Sequence, residues 1–205
     1  MAYPKTRNMK TIATLILVAA CSGTFVSQAR AGMLITFVPG SQTIANGAST
    51  TVDVTISGLT ASLALGAYDL DFSYDPSVVA VTGVTFPAFP ASGLDLGFWG
   101  SWWFSDTTTP GVVNLVEVSL ESAADLSALQ PDGFVLATVS FQGSAPGASL
   151  LHYTSVTLAD ENGFAITDFS VESGIIDVVP ETPEFALITA MGLLGFGWYR
   201  RARTT

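Results

Sequence analysis

AYDLDFSYDP, residues 67–76, alternates its side chains with a period of two: Tyr68, Leu70, Phe72 and Tyr74 on one side, Asp69, Asp71 and Ser73 on the other. That period belongs to a strand with one packed face and one wet face. Asp75-Pro76 then supplies a turn, because Asp bonds its own downstream backbone and Pro presets φ. A second reading competes: the spacing D-x-D-x-S-x-D also copies the opening ligand positions of a calcium loop. An EF-hand loop starting at Asp69 would put Tyr74 at its sixth position, where Gly makes the turn, and Ala80 at its twelfth, where a bidentate Glu belongs. The strand reading prevails, and Asp69 and Asp71 are expected on a solvent face where a partner could dock.

The same period runs outward from this stretch. Val52, Val54 and Ile56 alternate with Asp53, Thr55 and Ser57. Similar runs are MLITFV (33–38), VVAVTGVTF (78–86), VVNLVEVSL (112–120), FVLATVSF (134–141), LLHYTSVTL (150–158), FAITDFSV (164–171) and GIIDVV (174–179). Turn formers separate them: Pro39-Gly40, Asn46-Gly47, Pro131-Asp132-Gly133, Pro146-Gly147 and Asn162-Gly163. Only ESAADLSALQ, residues 121–130, reads as a short helix. About nine strands at this spacing predict an all-β antiparallel sandwich or jelly roll over residues 33–179.

Charge narrows the partners. The seven basic residues are Lys5, Arg7, Lys10, Arg30, Arg200, Arg201 and Arg203, and all seventeen acidic residues lie between Arg30 and Arg200. Nucleic acid is excluded as a ligand of this region, because binding a polyanion takes Lys or Arg on the phosphates. Cations and neutral glycans are compatible with it, and the uniform charge keeps copies apart and soluble.

The two basic ends read as export signals. Residues 1–31 combine a basic start, the apolar run TIATLILVAA and the small-residue site Ala29-Arg30-Ala31, the three parts of a signal peptide. Val18-Ala19-Ala20-Cys21 resembles a lipobox, so lipidation at Cys21 is the alternative to cleavage after Ala31. Residues 180–205 begin with Pro180-Glu181, continue through an apolar run at 185–199 and end with Arg200, Arg201 and Arg203. A fifteen-residue helix covers about 22 Å, so it needs its flanks to span a ~30 Å hydrocarbon core. The arginines would hold the C-terminus on the cytoplasmic side and leave the domain facing outward.

This tail resembles the PEP-CTERM sorting signal of exopolysaccharide-producing Gram-negative bacteria. Thr182 stands where a second Pro is usual, with Pro183 one place later. The resemblance implies recognition by an exosortase, a membrane processing enzyme, and a destination in the cell envelope or outside it. The central region resembles a cohesin module, through G-x-x-x-T-V-D-V-T-I at 47–56, LGAYDLDFSYDPSVV at 65–79 and the closing TSVTLADENGFAITDFSVESGIIDV. That resemblance implies a nine-stranded jelly roll, no catalysis, and a calcium-loaded dockerin-like partner held on one sheet face.

Candidate sites outside these motifs are few. His152 is the only His and Cys21 the only Cys, which leaves no zinc set of His and Cys ligands. No G-x-S-x-G nucleophile elbow is present. Acidic turns such as Asp160-Glu161-Asn162 and Asp75 offer oxygen ligands of the kind calcium takes. FWGSWWF, residues 98–104, gathers three of the four Trp. Trp99, Trp102 and Trp103 either pack into the sandwich or stack on a ligand such as exopolysaccharide, and strand alternation puts at least one of the Trp102-Trp103 pair outside.

Overall fold

The computed structural model describes residues 32–180, which form two packed β-sheets. The strands are β1 (Met33–Val38), β2 (Ser41–Ala45), β3 (Ser49–Ser57), β4 (Leu65–Ser73), β5 (Val79–Thr85), β6 (Ser101–Asp106) and β7 (Val112–Ser119). After α1 (Ala123–Leu129) come β8 (Gly133–Gly143), β9 (Gly147–Asp160), β10 (Ala165–Ile166), β11 (Phe169–Val171) and β12 (Gly174–Val179). One sheet runs β11-β1-β3-β8-β5; the other runs β2-β12-β9-β4-β7-β6, with β10 added beside β9.

Alternation places the core. Met33, Ile35 and Phe37 of β1, Val52, Val54 and Ile56 of β3, and Tyr68, Leu70 and Phe72 of β4 are all buried. Phe37 stacks on Tyr153 at 4.6 Å between centroids and meets Phe72 edge-on at 5.2 Å. These offset and edge contacts suit the quadrupoles of aromatic rings. The opening strand is central to its sheet, with β9 on one side and β7 on the other. In α1 the Ser122 side chain accepts the Asp125 N–H, the N-cap bond that starts a helix.

Twelve strands replace the nine expected, for three local reasons. SQTIA lacks alternation, yet it pairs parallel to β12 as an edge. The SWWFSD portion of the Trp-rich stretch is a regular strand. The single run expected at 164–171 is two strands: Ile166 and Phe169 both turn toward the core although three apart, so the chain bends at Thr167-Asp168. It leaves β9 there and joins β1 in the opposite sheet. Among the described residues no helix is long and apolar enough to cross a membrane. The expected span at 185–199, Glu181, Pro183, the three arginines, Ala29, Ala31 and Cys21 lie outside the described residues. Pro180 follows β12 and is exposed.

Candidate functional site

The outer face of β9-β4-β7-β6 carries two kinds of side chain in adjoining rows. One row runs Asp106, Asn114, Asp71 across β6, β7 and β4. Asn114 Nδ2 donates to Asp71 Oδ1 at 2.9 Å and to Asp69 Oδ1 at 2.8 Å. One neutral amide thereby holds two carboxylates side by side, with no Lys or Arg among the described residues. The adjoining rows pair Phe104 with Val116 and Trp102 with Val118. Trp102 is 57% exposed and Phe104 47%, so the aromatic end of the face is uncovered. Trp103 points to the other side of β6 and stacks on Phe86 at 5.0 Å, bridging the margins of the two sheets.

A tight loop beside β6 displays two more rings. Phe98 and Trp99 are exposed, Trp99 at 74%. The loop is organised by one carboxylate: Glu121 Oε1 accepts backbone N–H bonds from Leu96 (3.0 Å), Phe98 (3.1 Å), Trp99 (3.2 Å) and Gly100 (3.2 Å). Gly97 and Gly100 supply the positive φ values, 86° and 79°, that let successive amides converge on it. Burial is the largest single influence on Glu121 and pushes its pKa up. The N–H donors of Trp99, Phe98, Gly100 and Leu96 together outweigh it and leave the pKa below the ordinary glutamate value.

Glu117, at the root of the same edge, is held differently. It lies on the core side of β7, 1% exposed. Ser101 Oγ donates to its Oε1 at 2.6 Å, and Tyr68 Oη lies 3.0 Å from its Oε2. Tyr68 Oη is also 2.9 Å from the Leu136 carbonyl oxygen. A phenol has one proton and a carbonyl has none, so both contacts are satisfied when Glu117 is protonated and donates to Tyr68, which donates to Leu136. Burial, first, and the Asp95 charge raise the Glu117 pKa against the lowering by the Ser101 and Tyr68 bonds. Direction and proton count agree.

No family model matches the sequence, and no curated protein does. Solved structures do match. A type I cohesin in a cohesin-dockerin complex from Clostridium thermocellum has a TM-score of 0.56 at 15% identity, over 72% of this chain and 99% of that one. The fold is cohesin-like. A non-cellulosomal cohesin from the archaeon Archaeoglobus fulgidus matches at TM-score 0.54 and 18% identity, over 77% of this chain and 96% of that one. CaCohA2 from Clostridium acetobutylicum matches at TM-score 0.55 and 24% identity, over 72% and 90%.

Within this cohesin-like domain, Asp69, Asp71 and Trp102 share one sheet face, Trp99 lies on the neighbouring loop, and Trp103 sits at the sheet margin. His152 is exposed and its Nδ1 is 3.2 Å from Ser173 Oγ. Among the described residues no three His, Cys, Asp or Glu side chains gather as a metal-binding group. At the acidic turn, Asp160 Oδ1 accepts from the Asn162 and Phe164 amides, and Glu161 Oε2 accepts from that of Ala64. Sequence reasoning passed over Glu117 and Glu121. For Glu117 a signal existed: in VVNLVEVS it shares the parity of Val113 and Leu115, which face the core. For Glu121 none did, since its donors are all backbone amides.

Proposed function

We propose that the protein is an exported, non-catalytic binding or scaffolding component of the cell envelope or exopolysaccharide matrix. Its partner docks on the outer face of β9-β4-β7-β6. The observation that carries this reading is the juxtaposition of uncovered Trp102 and Phe104 with the Asp69-Asn114-Asp71 cluster on one sheet face. Aromatic anchors beside fixed polar groups make a protein-binding surface. The likeness to cohesins, one of them solved with its dockerin, supports a dockerin-like partner. The test is calorimetric titration of the full chain, in detergent, with a calcium-loaded protein bearing D-x-N-x-D-G repeats, against the chain carrying Trp102→Ala and Phe104→Ala. Binding by the parent that falls at least tenfold in the variant supports the face; equal binding by both defeats it.

Export and sorting belong to the same proposal. The leader at 1–31 delivers the domain, and an exosortase reads residues 180–205 around Pro180-Glu181 and the arginine cluster. Fractionation and mass measurement of the mature form, with and without residues 180–205, test this. An unprocessed C-terminus in exosortase-competent cells would defeat the sorting step. A second reading, recognition of exopolysaccharide, is favoured by the Trp99 loop, because a fixed loop presenting an open indole suits a sugar face. Affinity electrophoresis in purified exopolysaccharide, parent against Trp99→Ala, separates this reading from docking on the sheet face.

A further inference from the structure

Among the described residues the edge strands are β11 and β5 in one sheet and β2 and β6 in the other, apart from the two-residue β10 beside β9. Three are blunted. β11 is three residues long, and β5 carries a register shift between Val81 and Gly83. β2 is bridged to β3 by Gln42, which donates to the Thr51 carbonyl and accepts from the Thr50 hydroxyl. By contrast, β6 keeps an unbroken six-residue register with β7 and contains no Pro, Gly or Lys. Leu120 N–H donates to Gly100 O at 2.9 Å. Hydrogen-bonded pairs alternate along an antiparallel ladder, so Trp102, Phe104 and Asp106 bond inward to β7. The N–H and C=O groups of Ser101, Trp103 and Ser105 therefore point off the sheet, and none has a backbone partner beyond β6 among the described residues. A regular apolar edge of this kind is a template for another strand.

We infer that β6 accepts an added strand from a partner: an extended peptide with Arg or Lys at alternate positions. Charge selects this occupant. The described domain has no Lys or Arg, and it holds every acidic residue of the chain except Glu181 and Glu184. A second copy would bring the same uncompensated charge and be repelled. On an added strand, the residues opposite Trp102, Phe104 and Asp106 fall on the outer face. Cations there lie against the two exposed rings and beside the Asp106 carboxylate. The edge borders the sheet face proposed above and shares Trp102 and Phe104 with it, but it adds the outward backbone groups of β6, which docking on the face does not use.

The probe is acetyl-TRVRVRT-amide, titrated into the full chain in detergent and followed by calorimetry and amide hydrogen exchange. Binding is expected to slow exchange at Ser101, Trp103 and Ser105 while leaving Trp102 and Phe104 unchanged. N-methylation of the alternate peptide amides that face β6 is expected to weaken binding by about tenfold or more, and acetyl-TEVEVET-amide is expected not to bind. Trp103→Pro removes an outward N–H but no bond to β7, so it is expected to abolish binding that Trp103→Ala retains to within about threefold. Equal binding by the N-methylated peptide, or no protection at the three outward amides, overturns the inference. Protection already present without peptide overturns the assigned occupant: if it is independent of concentration it points to the chain's own basic tail, and if it grows with concentration, to a second copy.

Discussion

Replacing Glu117 with Gln should stabilise the domain in mild alkali and leave it nearly unchanged in acid. The carboxyl is buried with no cation within the described domain, and its pKa is raised above the ordinary glutamate value, first by burial. Tyr68, Ser101 and Asp95 are the groups that face it. A raised folded pKa means that the fold binds this proton more tightly than the unfolded chain does. The resulting stability is complete below the ordinary glutamate range and is lost as pH rises through the raised value. Gln reproduces the bonding pattern of the protonated acid: its Nε2 donates to Tyr68 and its Oε1 accepts from Ser101. It carries no titration. At pH 8.5 the parent either holds a proton that its unfolded chain has released or buries a bare carboxylate, a penalty of about 1–3 kcal/mol. The variant should therefore gain about 1–2 kcal/mol at pH 8.5, or about 2–4 °C in Tm per kcal/mol, and lie within about 0.5 kcal/mol of the parent at pH 4. Urea denaturation across that range measures both ends. A variant equally destabilised at both pH values would refute the reasoning, for it would mean that Glu117 is ionised in the fold and that Tyr68 donates to it.

Glu121→Ala removes the acceptor for four loop amides and should speed exchange at Leu96, Phe98, Trp99 and Gly100, with a loss of about 1–3 kcal/mol in denaturant melts. In the parent the same protection is complete above the ordinary carboxylate range and fades as pH falls through the lowered Glu121 value. Tyr153→Phe should be neutral or stabilise by up to about 1 kcal/mol, because the buried Tyr153 hydroxyl has no partner among the described residues and burial drives its pKa far upward. Phe72→Ala, at a fully buried position edge-on to both Phe37 and Tyr153, should lose about 3–5 kcal/mol in the same melts. Trp102→Ala should change stability by no more than about 0.5 kcal/mol, since the ring is mostly exposed, so any lost binding is not lost folding.

The strands that the sequence reveals are those with one wet and one dry face. β3 and the Tyr68–Ser73 part of β4 alternate cleanly because Thr, Asp and Ser separate their apolar residues, and Val52, Val54, Ile56, Tyr68, Leu70 and Phe72 are buried as the pattern reads. β6 breaks that rule. Its outer face carries Trp102 and Phe104, so periodicity cannot tell core from surface, and packing of its aromatics into the core was the competing reading. β2, SQTIA, has no apolar alternation and owes its conformation to β12, a partner more than a hundred residues away. The bend at Thr167-Asp168 is equally non-local, being fixed by β9 on one side and β1 on the other. The Asp69 and Asp71 positions were legible, but the amide joining them was not: Asn114 reaches them only because β7 pairs with β4 in one particular register.

A domain without Lys or Arg has to satisfy its carboxylates by other means. Glu121 is held by backbone dipoles, and Glu117 is buried against the Ser101 and Tyr68 hydroxyls with its pKa raised, first by burial. Asp75 and Asp106 sit at turns, where Ser77 and Thr108 donate both side-chain and backbone bonds and hold their pKa values down. None of these groups needs an external charge. Asp69 and Asp71 differ, because one Asn114 amide serves both and leaves their remaining oxygens without any other side-chain donor among the described residues. Repulsion between them favours any incoming cation or hydrogen-bond donor. The open rings of Trp102 and Phe104 stand two rows or fewer away on the same face and supply the apolar area that such a contact would bury. The fold thus sets an under-bonded pair of carboxylates next to its largest exposed hydrophobic side chains, and that coincidence, more than the acidic total, supports the docking face proposed above.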